Sequence, residues 1–148
     1  MKLSKSHLGA GALALGAVLA FAVPAGAAVN LQSESNGTSA LKIVKQAKLK
    51  ANGAATVVTL NITCPSGDYY DLNVSVTQTI GNKTTTGTGY APRTECTGYT
   101  QKVKVPVTVS GGGAPFKQGD AYAVGNANVY GFDYLQLSTG RVIVNVES

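Results

Sequence analysis

The sequence predicts an all-β domain, an antiparallel β-sandwich of about seven strands, and three observations support this prediction. Thr, Val and Tyr are frequent, apolar and polar residues alternate with a period of two, and Gly, Asn or Pro interrupts the pattern about every 8–15 residues. No helical pattern longer than a turn follows residue 28. Short strands with Gly-rich turns, within about 110 residues, are typical of two packed sheets.

The first 28 residues have the features of a secretory signal peptide. Lys2 and Lys5 provide a positive start, residues 8–23 form an uncharged apolar run, and Ala25-Gly26-Ala27 offers the small residues of a cleavage site. The run of about 16 residues is shorter than the roughly 20 residues that a membrane-spanning helix needs. We therefore expect a bacterial protein that is secreted and extracellular, with no membrane span after cleavage.

After the leader (residues 1–28), the sequence predicts a flexible tail over residues 29–40 and one sandwich domain over residues 41–148. Each predicted strand has an apolar face and ends at a turn signal such as Asn52-Gly53 or Gly81-Asn82. The fourth strand, residues 83–90, is polar and rich in Thr, which is typical of a sheet edge. The last two predicted strands are residues 120–130 and 134–146. The apolar faces of the first, second, third and fifth strands are, in that order, Leu41, Ile43, Ala47 and Leu49; Val58, Leu60, Ile62 and Cys64; Tyr70, Leu72, Val74, Val76 and Ile80; and Val103, Val105, Val107 and Val109.

Cys64 and Cys96 are the only cysteines, and an even count in an exported chain predicts a disulfide. Closing a loop of about 33 residues stabilises the folded state by roughly 3–4 kcal/mol on the chain-entropy model. Because Cys96 falls in a predicted loop over residues 91–98, we expect the bridge to hold that loop against the second strand instead of joining two sheets. The spacing is not C-x-x-C, so we do not expect a redox-active pair.

The composition removes most common catalytic chemistry from the mature chain. The only histidine is His7, in the leader, and histidine is the one side chain whose ordinary charge change falls between about pH 5 and 8. The seven acidic residues are scattered, and several lie in turns where Asp is common. The sequence contains no phosphate-binding loop, calcium-type acidic cluster or His/Cys metal motif. We expect no enzyme activity, no catalytic residue, no cofactor and no metal.

Four lysines, Lys42, Lys45, Lys48 and Lys50, crowd the first predicted strand. Without the two leader lysines, the chain has 10 basic and 7 acidic residues, a net charge of +3. One interpretation is the solvated face of an edge strand, where lysine prevents sheet-to-sheet association. The other is contact with an anionic surface, either nucleic acid or a cell-wall polymer. Because no aromatic residue lies between the lysines to stack on bases, we favour the edge strand and expect no nucleic-acid partner.

Gly119-Asp120-Ala121-Tyr122 opens the sixth predicted strand and resembles the start of strand F in immunoglobulin-like domains. That resemblance implies a structural tyrosine corner, in which the Tyr122 hydroxyl bonds back to the backbone. With the leader and the cysteine pair, the chain resembles small secreted actinobacterial immunoglobulin-like β-sandwich proteins of unknown function. It is also similar to the enediyne-carrying chromoprotein apoproteins, small exported sandwiches with an open ligand cleft and two expected disulfides. Neither resemblance transfers a binding residue to this chain.

Tyrosines are candidate anchors of a binding surface, since the side chain is large, amphipathic and low in rotamer entropy. A disulfide that holds the cysteine loop beside the turn after the second strand brings four residues to one candidate binding rim: Tyr69, Tyr70, Arg93 and Tyr99. Our hypothesis is a secreted, non-enzymatic binding or assembly module that recognises a protein or a cell-surface polymer through loops or an edge strand. The alternative is a small-ligand carrier resembling the chromoprotein apoproteins.

Overall fold

A computed structural model describes residues 34–35 and 39–148, so the predicted leader and most of the predicted tail lie outside the described residues. Most of this part of the chain is β-strand, which confirms the all-β prediction, and it contains one 3-10 turn, Ala51–Gly53. None of its helical segments is long and apolar enough to cross a membrane. The strands are β1 (Glu34–Ser35), β2 (Ser39–Lys50), β3 (Ala55–Thr63), β4 (Tyr69–Ile80), β5 (Lys83–Glu95), β6 (Gln101–Val109), β7 (Gly119–Tyr130) and β8 (Tyr134–Glu147).

Strands β2 to β8 form one sheet that closes on itself into a barrel, so the prediction of a sandwich is wrong. Around the barrel the order is β2-β3-β6-β5-β4-β7-β8, and β8 returns to β2 through a short parallel pairing of residues 46–48 with residues 145–147. The other neighbouring strands pair antiparallel. Period-two alternation does not distinguish the two architectures, because both place alternate side chains inside.

The barrel consists of two runs of strands, β2-β3-β6 and β5-β4-β7-β8, that meet at two short seams. One seam is the β2–β8 pairing, and the other joins Gly87 to Val109 and Thr88 to Thr108. A Cβ at Gly87 would overlap the Thr108 carbonyl, so glycine is needed where the backbones approach. Pro106, which has no N–H to donate, lies two residues beyond this seam.

Both seams lie near the end of the barrel that carries the β4–β5 turn, which we call the paired end. At the opposite end, the described strands of the two runs are not paired with each other, and we call this the open end. The open end contains the starts of β2, β4, β6 and β8 and the ends of β3, β5 and β7.

The predicted disulfide is present at the open end, where Cys64 and Cys96 are bonded with their Cα atoms 5.6 Å apart. Cys64 directly follows β3, and Cys96 directly follows β5, which extends to Glu95 instead of ending near residue 90. A bulge opposite residues 70–72 lets β5 continue its pairing with β4 that far. The bridge therefore holds the start of the loop after β5 against the residue that directly follows β3, as expected, but this loop begins at residue 96 instead of residue 91.

The core fills the barrel and includes most of the predicted apolar positions. At the paired end it is completed by Phe116, a loop residue that is 2% exposed. The Gln78 side chain holds this loop, because its Nε2 donates to the Lys117 carbonyl at 2.8 Å and its Oε1 accepts from the Lys117 N–H at 2.9 Å. β2 begins at Ser39, two residues before the predicted domain boundary. In β3 and β4 the buried side chains confirm the predicted alternation: Val58, Leu60, Ile62, Tyr70, Leu72, Val74 and Val76.

Candidate functional site

Two rows of side chains cross the outer surface of β4, β7 and β8 at the open end. Within each row the strand register aligns one residue from each of the three strands. The rows lie two residues apart along each strand, so their side chains project from the same side of the sheet. The first row is Tyr69, Tyr130 and Tyr134, the second is Asp71, Asn128 and Gln136, and Arg93 of β5 lies beside them; we call these residues the aromatic–polar face.

Asp71 is the centre of the hydrogen bonds that organise this face. Its Oδ1 accepts a hydrogen bond from Asn128 Nδ2 at 2.8 Å, and its Oδ2 accepts one from the Tyr130 hydroxyl at 2.8 Å. The hydrogen bond to the carboxylate raises the pKa of Tyr130, and desolvation and the Asp71 charge act in the same direction, while Arg93 opposes them. Both carboxylate oxygens therefore accept from neutral donors, and Tyr130 keeps its proton at neutral pH.

Asn128 connects the polar row to the tyrosine row. Its Oδ1 accepts hydrogen bonds from the Tyr134 hydroxyl at 2.9 Å and from Gln136 Nε2 at 3.3 Å. Gln136 Nε2 also donates to the Tyr134 oxygen at 3.0 Å. Because neighbours set the orientation of these side chains, less rotamer entropy is lost when a ligand binds to them.

Arg93 lies over the tyrosine row. Its guanidinium carbon is 4.6 Å from the ring centroid of Tyr130 and 5.1 Å from that of Tyr69. Both distances fall within the roughly 6 Å range of cation–π contacts. The ring centroids of Tyr130 and Tyr134 are 5.5 Å apart, with their planes at 51°. The cation and the three rings therefore form a continuous chain of contacts.

The aromatic–polar face is open to solvent. Tyr69 is 42% exposed and Tyr134 is 59% exposed. Phe132, in the turn between β7 and β8, is fully exposed beside them. Exposed rings next to oriented carboxylate and carboxamide groups offer apolar contact area and hydrogen-bonding groups to the same ligand.

The structure brings together two of the four predicted rim residues, Tyr69 and Arg93. Tyr70 is a correction, because it is 2% exposed in the core, and its burial raises its pKa. Alternation along β4 explains this difference, since two consecutive residues of a strand point to opposite sides. Tyr99 is 79% exposed in the loop after Cys96, and among the described residues no ring contact or hydrogen bond joins it to Tyr69 or Arg93.

Tyr122 does not form the tyrosine corner that the immunoglobulin resemblance implies. It lies on the outer surface of β7, 46% exposed, and the Arg141 guanidinium carbon is 5.2 Å from its ring centroid. Its neighbours Ala121 and Ala123 point into the core. A corner tyrosine bonds back to the backbone, whereas the Tyr122 ring packs under a surface arginine.

The sequence analysis did not predict most of the aromatic–polar face. Tyr130 and Tyr134 flank a short turn, so a β-hairpin pairing would have placed them side by side. The pairing of Asp71 with Asn128 joins residues 57 positions apart, and no local pattern indicates that register. The residues missed are Asp71, Asn128, Tyr130, Tyr134 and Gln136.

A separate concavity of about 690 Å³ lies at the paired end, where its lining includes Leu49, Lys50, Phe116 and Lys117. Within residues 34–35 and 39–148, no three His, Cys, Asp or Glu side chains cluster in a way that suits a metal ion. Comparison of the chain with protein-family models, curated proteins and solved structures finds no match. Functional inference therefore rests on the geometry of the surfaces.

Proposed function

We propose that the protein is a secreted, non-enzymatic binding module that recognises a cell-surface polymer through the aromatic–polar face. The observation that carries this proposal is the row of three tyrosines in register beside a hydrogen-bonded row of Asp, Asn and Gln side chains. The disulfide supports a secreted location, because disulfides form and persist in oxidising compartments. The binding surface in this proposal is a sheet face, not the loops or edge strand expected from the sequence.

A hydroxyl-rich polymer such as a polysaccharide fits the shape and chemistry of this face. Neighbouring strands lie about 4.8 Å apart, so each row of three side chains extends over roughly 10 Å. A sugar ring presents C–H groups, which pack on tyrosine rings, and hydroxyls, which exchange hydrogen bonds with carboxylate and carboxamide groups. The rows run side by side, so one sugar unit can contact both at once.

A protein partner is the second form of this proposal, and the fully exposed Phe132 is the observation that favours it. Aromatic side chains are enriched at protein interfaces, where they fill apolar pockets on the partner. The polymer fits the remainder of the face better, since its side chains offer polar groups that are already hydrogen-bonded to one another.

An immunoglobulin-like strand order and a relationship to small secreted actinobacterial proteins are also proposals. Support for the strand order comes from the division into runs of three and four strands, and from the parallel pairing of β2 with β8. The position of Tyr122 provides no support, because the resemblance requires a corner residue there. An experimental structure compared with immunoglobulin domains tests this part.

The test of the binding proposal is affinity electrophoresis and sedimentation of the purified, disulfide-bonded protein against soluble and insoluble cell-surface polysaccharides. We expect Tyr134→Ala to weaken binding about tenfold, because it removes an exposed ring and two hydrogen bonds of the network. Tyr122→Ala is the matched control, since Tyr122 is similarly exposed on the outer surface of the barrel but lies outside the aromatic–polar face. Equal losses in both variants, or no retention by any polysaccharide, would contradict the polymer form of the proposal.

The small-ligand carrier is the alternative function, and the 690 Å³ concavity at the paired end is the observation that favours it. Its volume falls within the range of small-molecule sites, about 300–1,000 Å³. Leu49 and Phe116 supply apolar lining, whereas Lys50 and Lys117 add positive charge. Native mass spectrometry of the protein from its producing culture tests this function, because a carrier retains a bound small molecule of constant mass.

A further inference from the structure

A second surface differs sharply in charge from the aromatic–polar face. Strands β2, β3 and β6 contain six lysines and no acidic residue. The other run, β4, β5, β7 and β8, contains three basic and four acidic residues. The lysines of the first run are Lys42, Lys45, Lys48, Lys50, Lys102 and Lys104.

The strand register arranges five exposed lysines around β3, and we call them the lysine face: Lys42, Lys48, Lys50, Lys102 and Lys104. Lys42 and Lys102 lie on either side of Asn61, and the other three are in register with positions 55, 57 and 59 of the same strand. Six residues of strand extend over about 20 Å, and two inter-strand steps cover about 10 Å. The lysine face is therefore an elongated track of positive charge.

Edge protection does not account for these lysines. β2 pairs with β3 along most of its length, and its other side pairs with β1 at the start and with β8 near the end. Acidic residues occur only at the margins of this run in the described strands: Glu34 is in register with Ala40, and Glu147 with Lys48. Like charges on one sheet face repel one another, and an anionic partner relieves this repulsion.

We propose that the lysine face binds a linear phosphodiester polymer of the bacterial cell envelope. Lysine presents a compact point charge with three donors, which suits phosphate groups in a flexible chain. The residues between the lysines include Thr59 and Asn61, which add neutral hydrogen-bonding groups. An elongated track of positive charge is complementary to a polymer that carries one negative charge per repeat.

Two other polyanionic surfaces fit less well. Strands β2, β3 and β6 contain no aromatic residue, so the face offers no ring on which nucleic-acid bases can stack. Membrane-surface binding adds large apolar side chains that enter the lipid, and none of the exposed large apolar residues lies on these three strands. A phosphodiester polymer without bases needs neither feature.

The lysine face and the aromatic–polar face lie on opposite sides of the barrel. Across the core, the position of a Cβ at Gly125 of β7 is 2.6 Å from Leu60 Cδ2 of β3, so the middle of one run packs directly on the other. β7 carries part of the aromatic–polar face, and β3 is the centre of the lysine face. The two surfaces can therefore be occupied together, and this inference does not depend on the proposed function.

The experiment is sedimentation of the purified, disulfide-bonded protein with bacterial cell walls, before and after hydrofluoric acid extraction of phosphodiester polymers. We expect the protein to bind untreated walls, and this binding should weaken steeply as the salt concentration rises. Extraction of the walls should abolish binding, and long-chain inorganic polyphosphate should compete with the walls for the protein. Lys102→Gln/Lys104→Gln should weaken binding tenfold or more, on the order expected for two lost charges. Lys48→Gln/Lys50→Gln, on the neighbouring strand β2, should have a similar effect.

The matched control is Lys83→Gln/Arg141→Gln, which removes two positive charges from the other run and should change binding less than about twofold. Binding of long-chain inorganic polyphosphate alone, a polyanion without sugar units, should weaken in both double-lysine variants and change less than about twofold in the control, which separates this inference from the proposed function. Undiminished binding to extracted walls, equal losses in the control, or tighter binding to single-stranded DNA or anionic vesicles than to walls would overturn the proposal.

Discussion

The two ends of the barrel are stabilised in different ways. At the paired end, backbone pairing closes both seams, and Phe116 fills the space between the runs. At the open end, the Cys64–Cys96 disulfide joins the runs, and side-chain hydrogen bonds centred on Asp71 organise the surface. The candidate site thus lies at the end where the two runs are not paired with each other, and the strand register within one run aligns its side chains.

The substitution expected to change stability most is at the paired end, where Phe116→Ala should destabilise the protein by about 3–5 kcal/mol. The reason is that Phe116 is buried at 2% exposure and its removal leaves a cavity between the seams. Denaturant unfolding measures the change in the free energy of unfolding. Phe132→Ala is the control, because Phe132 is fully exposed and its loss should cost less than about 0.5 kcal/mol. Similar values for the two variants would show that Phe116 does not complete the core.

The second largest loss of stability is expected at the open end, where Cys64→Ala/Cys96→Ala should destabilise the protein by roughly 3–4 kcal/mol. The bridge spans 32 positions of sequence and is a covalent cross-link between segments that follow a strand of each run. Hydrogen exchange should show greater loss of protection at the start of β6 than at its seam with β5, because the start of β6 is paired with β3 alone, whereas the seam is paired with both β3 and β5. Uniform loss of protection along β6 would contradict the distinction between the two ends.

The smallest effect is electrostatic and confined to the candidate site. Asp71→Asn should lower the pKa of Tyr130 toward its ordinary value of 10.0, because the negatively charged acceptor is removed. With its folded-state pKa raised, Tyr130 contributes stability that is present below pH 10 and lost as the pH rises through the folded pKa; in the variant this contribution is smaller, because the folded and unfolded pKa values are closer. NMR titration of the tyrosine ring carbons, assigned with Tyr130→Phe, measures the shift. An unchanged Tyr130 pKa would contradict the role of Asp71.

Local patterns were enough to predict which side chains enter the core. In β4, alternation places Tyr70 and Leu72 inside and Asp71 outside, as observed. The same rule shows why Tyr70 was a wrong choice for the binding rim, since Tyr69 beside it occupies the outer side. The disulfide was also predictable, because a chain that is expected to be exported and has two cysteines has one possible pairing.

The candidate site was only partly predictable because its rows join distant strands. Tyr69 and Arg93 were anticipated from their closeness to the cysteine loop, and they are in contact. The alignment of Asp71 with Asn128 depends on the β4–β7 register. A shift of one residue in this register would place their side chains on opposite faces of the sheet. The lysine face has the same origin, since Lys102 and Lys104 join the lysines of β2 only through pairing with β3.

The sequence by itself determined the strand-rich class, the inward and outward positions of β2, β3, β4 and β6 and the single disulfide, because these depend on side-chain type and spacing along the chain. Tertiary structure decided the closure of the sheet, the bridge between the two runs and the assembly of both surface faces. Closure and register depend on pairings between residues far apart in sequence, and period-two alternation is the same for every such pairing.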